Sequence, residues 1–217
     1  PPYRTWGGNM IRASHVILGM YGFWLPNDER GSWSDYVGSW ELLRLGKATT
    51  VELRHSVARR PFDHQRRAAA LAALKYPPVT LTGVEARAIG RGFGKYAAKA
   101  SLSVLACSIM PQHVHLVLAR HRLKVEQLII QLKGAATRQL IAEQRHPLAR
   151  LQHNTKRPPK VFARGGWKVY LETAADIERS IRYVEQNPLR ENLPQQRWSF
   201  VQPFEDTLAA DKISAAV

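Results

Sequence analysis

Cysteine is almost missing from this sequence. Cys107 is the one thiol in 217 residues, which excludes an internal disulfide framework and any cysteine-rich zinc site. Long apolar runs are missing too. The longest, Val16–Leu25 and Leu102–Met110, fall well short of the roughly 20 residues a membrane-spanning helix needs. Acidic residues are scarce: Asp+Glu number 17 against 32 Lys+Arg, a formal net charge of +15. Such an excess predicts a polyanionic partner, nucleic acid first. An anionic membrane is the rival, but it needs a basic amphipathic helix or a lipidation signal, and neither is evident. The opening residues Pro1-Pro2-Tyr3-Arg4 lack the pattern of a secretory leader, so a cytoplasmic protein, nucleoid-associated when on DNA, is expected. With 45% hydrophobic and 23% charged residues the chain is not of disordered composition. Its length predicts one domain over residues 1–217, with an insertion.

Residues Ser14–Phe23 are β-branched and aromatic and predict a buried first strand, broken by Pro26-Asn27-Asp28. Residues 24–81 hold no single period and read as an insertion with a helix around Gln65–Lys75 and a stop at Pro77-Pro78. Thr82-Gly83-Val84-Glu85 has the S/T-x-x-E form of a capping box, opening a helix to about Lys99 with Ile89, Phe93, Tyr96 and Ala100 as its buried stripe. Leu102–Met110 and His113–Ala119 form a hairpin about Pro111-Gln112. A helix over Val125–Glu143 repeats Leu128, Leu132, Ala136 and Leu140. After a polar loop, Gln144–Trp167, come a short strand at Lys168–Leu171 and a last helix at Ala174–Asn187. This order predicts a ferredoxin-like α+β sandwich: a central antiparallel sheet, a C-terminal helix, and the insertion after the first strand.

Two segments carry candidate chemistry. Strand side chains alternate, so His113 and His115 leave one face of the second hairpin strand and can chelate one divalent metal. On that spacing alone the favoured reading is a surface pair with no metal, since a lone H-x-H often arises by chance. On the last helix Tyr183 and Asn187 stand one turn apart on one face. Taken alone, that pair also fits a buried tyrosine with an asparagine ending the helix before Pro188.

Together the segments resemble a known family. Met110-Pro111-Gln112-His113-Val114-His115-Leu116-Val117, followed by Tyr183-Val184-Glu185-Gln186-Asn187-Pro188, is similar to the paired motifs of single-domain HUH tyrosine transposases, most of all the REP-associated ones. The stretch Leu132-Lys133-Gly134-Ala135-Ala136-Thr137-Arg138 is similar to the lysine–glycine helix between those motifs. The resemblance covers residues 11–23 and 82–195, and not 24–81. It implies that His113 and His115 are metal ligands and that Tyr183 is the nucleophile. The third ligand falls on Asn187, with Gln186 as the neighbouring alternative. It further implies cleavage of single-stranded or hairpin DNA to a 5′-phosphotyrosine and a free 3′-OH, which a second 3′-OH can reverse. A free phenol, with a pKa of about 10, attacks poorly at neutral pH, so a cation polarising the phosphate is chemically sensible. Imidazoles with one amide suit Mn²⁺, or Mg²⁺ completed by phosphate oxygens; zinc also fits the histidines.

Arg87, Arg91, Lys95 and Lys99 recur every fourth residue and predict a basic stripe for phosphates. Lys133 and Arg138 extend it, as do Lys156, Arg157, Lys160 and Arg164 in a stretch without one acidic residue. Trp24, Trp33 and Trp40 either stack unpaired bases or anchor the insertion. His15 is expected to be structural. Monomer and homodimer are both left open, and no membrane partner is expected. The expected activity is that of a metal-dependent single-strand DNA endonuclease and strand transferase. Its rivals are a domesticated DNA-binding protein of the same fold that does not cut, and a zinc hydrolase, which lacks a carboxylate base near the histidines.

Overall fold

The computed structural model describes residues 10–23, 25, 63–152 and 157–205. These form β1 (Ala13–Gly19), α1 (His64–Ala72), α2 (Gly83–Ala100), β2 (Val104–Ile109), β3 (His113–Ala119), α3 (Val125–Ala142), a 3-10 turn (Ala149–Leu151), β4 (Trp167–Leu171) and α4 (Ala174–Arg190). The strands make one antiparallel sheet in the order β2-β3-β1-β4, the expected α+β architecture. Among the described residues no helix is long and apolar enough to cross a membrane.

Local chemistry sets the ends of these elements. Thr82 caps α2: the Glu85 N–H donates to Thr82 Oγ1 at 3.4 Å, and Glu85 Oε2 accepts from the Thr82 N–H at 2.6 Å. Thr173 caps α4 by accepting from the Asp176 N–H at 3.1 Å. At the hairpin, the Met110 N–H donates to the His113 carbonyl at 2.8 Å, so β3 starts on a histidine.

The sheet has two unlike faces. On one, Val16, Leu18, Val114, Leu116 and Leu118 pack under α2 and α3, against Ile89, Phe93, Leu128, Leu132 and Leu140. The two helices touch closely because Gly92 lacks a side chain; a Cβ there would lie 2.8 Å from both the Ala135 carbonyl oxygen and Ala136 Cα. On the other face, Ala13, Leu105, Ala106, Val117 and Leu171 form a small apolar patch beneath Ile177 and Val184 of α4, with Ile181 at its margin. Burying a side chain such as Val184 contributes about 1.5–3 kcal/mol, which fixes α4 against this half of the sheet. The other half of the same face carries polar side chains.

Several boundaries differ from the sequence reading. β1 stops at Gly19, because the chain turns at Met20–Gly22, with the Phe23 N–H on the Met20 carbonyl at 3.1 Å and Gly22 at φ +79°. β2 starts at Val104, since Ser101 ends α2 in the left-handed conformation. Residues 79–81 belong to the core, not the insertion: Val79 and Leu81 are buried and donate to the Tyr21 and Pro111 carbonyls at 2.8 and 2.7 Å. α1 ends at Ala72. Tyr96 and Ala100 sit at the core margin, while Ala88, Gly92 and Ala97 complete the buried stripe of α2. α4 runs through Pro188 to Arg190, because a missing N–H is tolerated in a final turn where the Glu191 N–H returns to the Pro188 carbonyl at 3.1 Å. Trp24, Trp33, Trp40 and Lys156 lie outside the described residues.

Candidate active site

Strand register builds the first half of the site. β3 pairs Gly19 with His113, Ile17 with His115, and His15 with Val117. His113, His115 and His15 therefore leave the same face, the one that α4 covers. All three are buried, His115 to 4% exposure. His15 Nε2 lies 3.0 Å from His115 Nδ1. Phe23 stacks on His113, with ring centroids 5.3 Å apart and planes 12° apart. Trp167 meets His15 edge-on at 6.2 Å.

Helical pitch builds the second half. Tyr183 and Asn187 project from α4 one turn apart, and each meets a histidine. The Tyr183 ring lies 5.5 Å from the His115 ring and 5.8 Å from the His15 ring. Asn187, 6% exposed, places Nδ2 3.4 Å from His113 Nε2. Tyr183 remains 40% exposed, so its ring rests on the histidines while solvent reaches it. The Arg190 guanidinium sits 5.2 Å from the centre of the Tyr183 ring. Gln186, the alternative to Asn187, is exposed, and its Oε1 accepts from Arg190 at 3.3 Å.

Electrostatics favour neutral imidazoles here. Burial, reinforced by His113 and His15, holds His115 well below the usual histidine range. Burial lowers His15 to about 4. Neutral imidazole is the form that ligates metals. Among the described residues no group of three or more His, Cys, Asp or Glu side chains is placed to hold a metal ion. An amide, that of Asn187, lies beside His113. A half-turn of its amide exchanges the nitrogen near His113 Nε2 for the oxygen, and buried imidazole with amide oxygen fits a divalent cation of intermediate hardness.

The expected basic surface is rearranged. Arg91 forms a two-pronged ion pair with Glu143 beyond α3, with Nε to Oε1 at 2.7 Å, and Lys95 donates to Gln139 Oε1 at 2.8 Å. Arg91 is thus neutralised along the α2–α3 seam, whereas Lys95 keeps its charge; Arg87 and Lys99 are exposed on the same helix. That layer lies across the sheet from Tyr183. Lys133 is placed apart from the exposed cations: its ammonium is partly buried, donates to the carbonyls of Ala163, at 2.8 Å, and of Gly165, and lies 5.8 Å from the Phe162 ring centre. Arg138 is exposed on α3, and Arg157, Lys160 and Arg164 are exposed on the loop before β4. That loop runs beside the end of β1, with the Ala163 N–H on the Gly19 carbonyl at 2.9 Å, so Arg164 stands at the His113 end of the sheet.

Four of the predicted residues, His113, His115, Tyr183 and Asn187, come together. Sequence reasoning missed His15, Phe23, Trp167 and Arg190 as neighbours of the site. For Arg190 a signal existed, since it follows Tyr183 by two helical turns; for His15 strand alternation gives the face shared with Ile17 and Gly19, and the β1–β3 register supplies the neighbour.

Comparison with known proteins identifies the family. The family model described as "Transposase IS200 like" matches residues 71–187, more than half of the chain, and its last matched position is Asn187. No curated protein matches. Among solved structures, one of a REP-associated tyrosine transposase bound to a REP hairpin aligns with 10% identity and a TM-score of 0.46, over 92% of this chain and 81% of that one. Another, from Deinococcus radiodurans R1 and described as a transposase, aligns with 13% identity and a TM-score of 0.36, over 85% of this chain and 97% of that one. On the strength of the family match over β2, β3 and most of α4, the chain belongs to the IS200-like transposase family.

Proposed function

We propose that this transposase-family chain is a divalent-metal-dependent single-strand DNA endonuclease and strand transferase that works through Tyr183 at hairpin-associated sites. The observation that carries the proposal is the convergence of Tyr183 and Asn187 from α4 on His115 and His113 from β3. His113, His115 and Asn187 would hold the cation, Mn²⁺ or Mg²⁺. When bound, such a cation supplies charge stabilisation at the non-bridging phosphate oxygens.

The chain's own residues do the rest. Tyr183 Oη forms a bond to phosphorus and the P–O3′ bond breaks; the phenol proton passes to solvent through the exposed side of the ring, and the departing 3′-oxygen takes up a proton. The phosphodiester energy is retained in the 5′-phosphotyrosine, so an incoming 3′-OH can reverse the step and join new ends. Arg190 lies across the phenol ring and supplies positive charge beside the reacting phosphate. Arg164, Lys160 and Arg157 extend that charge from the His113 end of the sheet and guide the strand.

The test is incubation with end-labelled single-stranded hairpin DNA and Mn²⁺, followed by denaturing electrophoresis and peptide mapping. A denaturant-resistant adduct on the Tyr183 peptide is expected, and Tyr183→Phe should abolish it while changing stability by less than about 1.5 kcal/mol. Tight hairpin binding with no adduct, or an adduct on Tyr170, would refute the assignment.

A further inference from the structure

We infer that His15 is a positioning residue for His115: its Nε2 accepts the Nδ1–H of His115 and so keeps His115 Nε2 free of a proton. The inference rests on the proposed role of His115 as a ligand, and its geometry stands on the side chains themselves.

The two nitrogens are 3.0 Å apart in a buried environment, so one proton lies between them. Two arrangements satisfy the contact. If His15 donates, His115 accepts at Nδ1 and carries its own proton on Nε2, which leaves it no lone pair for a cation. If His115 donates, its Nε2 is bare and His15 carries its proton on Nδ1. Only the second is compatible with a ligand. Ligating histidines are commonly held this way, by an acceptor at the ring nitrogen that does not bind the metal. That acceptor is usually a carboxylate or a carbonyl; here it is a second imidazole.

The surroundings hold His15 in that role. It sits on β1 between β3 and β4, paired with Val117 on one side and Val169 on the other. This register places it diagonally from His115 on the same face, within reach of a long side chain. The Trp167 ring stands edge-on to it at 6.2 Å and the Tyr183 ring lies 5.8 Å away, so aromatic surface encloses it. A histidine whose task was only to fill the core would be replaceable by leucine. A histidine that sets a tautomer is replaceable only by another acceptor at the same reach, and the glutamine Oε1 falls near the place of histidine Nε2.

The experiment uses the full chain, ¹⁵N-labelled on histidine and free of metal, with long-range ¹H–¹⁵N correlation spectra to read each ring's protonation. In the wild type, His115 should carry its proton on Nδ1. In His15→Leu the proton should move to Nε2, whereas His15→Gln should keep the wild-type form. Mn²⁺ titration followed by electron paramagnetic resonance should show affinity falling 10- to 100-fold in His15→Leu and mostly recovering in His15→Gln. Hairpin binding without metal serves as the check that each variant folds. A wild-type His115 protonated on Nε2 would overturn the inference, as would equal Mn²⁺ affinity in wild type and His15→Leu. If His15→Leu fails to fold, the wild-type spectrum and His15→Gln still decide: loss of the Nδ1-protonated form in His15→Gln counts against the inference. The expected wild-type tautomer in a chain that binds no Mn²⁺ would uphold the His15–His115 arrangement and overturn the proposed function.

Discussion

Replacing Lys133 by methionine separates two effects that a buried ammonium combines. Burial, with a smaller contribution from Lys160, lowers Lys133 to about 8, against 10.5 for a lysine in water. At about 1.4 kcal/mol per tenfold change in proton affinity, that gap is worth roughly 3 kcal/mol. The sign follows from which state holds the proton. Between pH 8 and 10.5 the unfolded chain keeps it and the folded chain releases it, so Lys133 makes the fold more stable as pH rises through that window. Below pH 8 both states are protonated and the fold carries the full cost of the buried charge. Lys133→Met removes this cost and also the hydrogen bonds to the Ala163 and Gly165 carbonyls, about 1.5–3 kcal/mol each when charge-assisted. At pH 7 the terms largely offset, and the variant should lie within about 2–3 kcal/mol of wild type. Raising the pH to 10.5 should widen the gap in favour of wild type by up to about 3 kcal/mol. Urea unfolding of both proteins at the two pH values gives the double difference, in which every other titrating group cancels. A gap that stays constant or narrows with rising pH would refute the reasoning.

Three further outcomes are expected besides those for His15. His113→Ala and His115→Ala should each abolish cleavage in Mn²⁺ while leaving the circular dichroism spectrum and most hairpin affinity in place; wild-type cutting by either variant would remove the histidines from the mechanism. Arg157, Lys160 and Arg164 replaced together by alanine should flatten the salt dependence of single-strand binding by up to about two units of log–log slope, at roughly 0.7 per phosphate. Replacing Arg91 should change that slope far less per residue removed, because Glu143 already neutralises it; an equal effect per residue would place the DNA over α2.

What could be read from the sequence was what local periodicity determines. The Thr82–Glu85 box acts within three residues, the α3 stripe repeats with the helical turn, and both motif pairs rely on spacing inside one element. The histidines therefore share a face, and Tyr183 and Asn187 share another, before any tertiary structure is known. The rest depends on contacts between distant residues. His15 is a single polar residue in an apolar strand, and only the β1–β3 register brings it to His115, one hundred residues away. Lys133 resembled a surface cation because nothing near it in sequence shows that the loop carbonyls, thirty residues on, will cover it. Arg91 and Lys95 are spaced like a free stripe, and their partners belong to the neighbouring helix. The β1 and α4 endpoints depend on hydrogen bonds beyond local composition: a turn with Gly22 at positive φ ends β1 early, and the Glu191 N–H on the Pro188 carbonyl carries α4 past its proline.

The two halves of the site take their dimensions from different backbone repeats. The histidine pair is spaced by the two-residue alternation of a strand, and the tyrosine–asparagine pair by the 3.6-residue turn of a helix. Neither span contains a loop that could absorb a change of length. Adding one residue between 113 and 115 turns a histidine into the opposite layer of the sandwich, and adding one between 183 and 187 swings the phenol and amide apart by about a further 100° around the helix. Over evolutionary time these short intervals can change letters but not length, whereas the exposed side chains Arg157, Lys160 and Arg164 lie outside both spans. On the proposed mechanism, the side chains that guide the DNA strand can therefore vary without disturbing the spacing on which bond cleavage would depend.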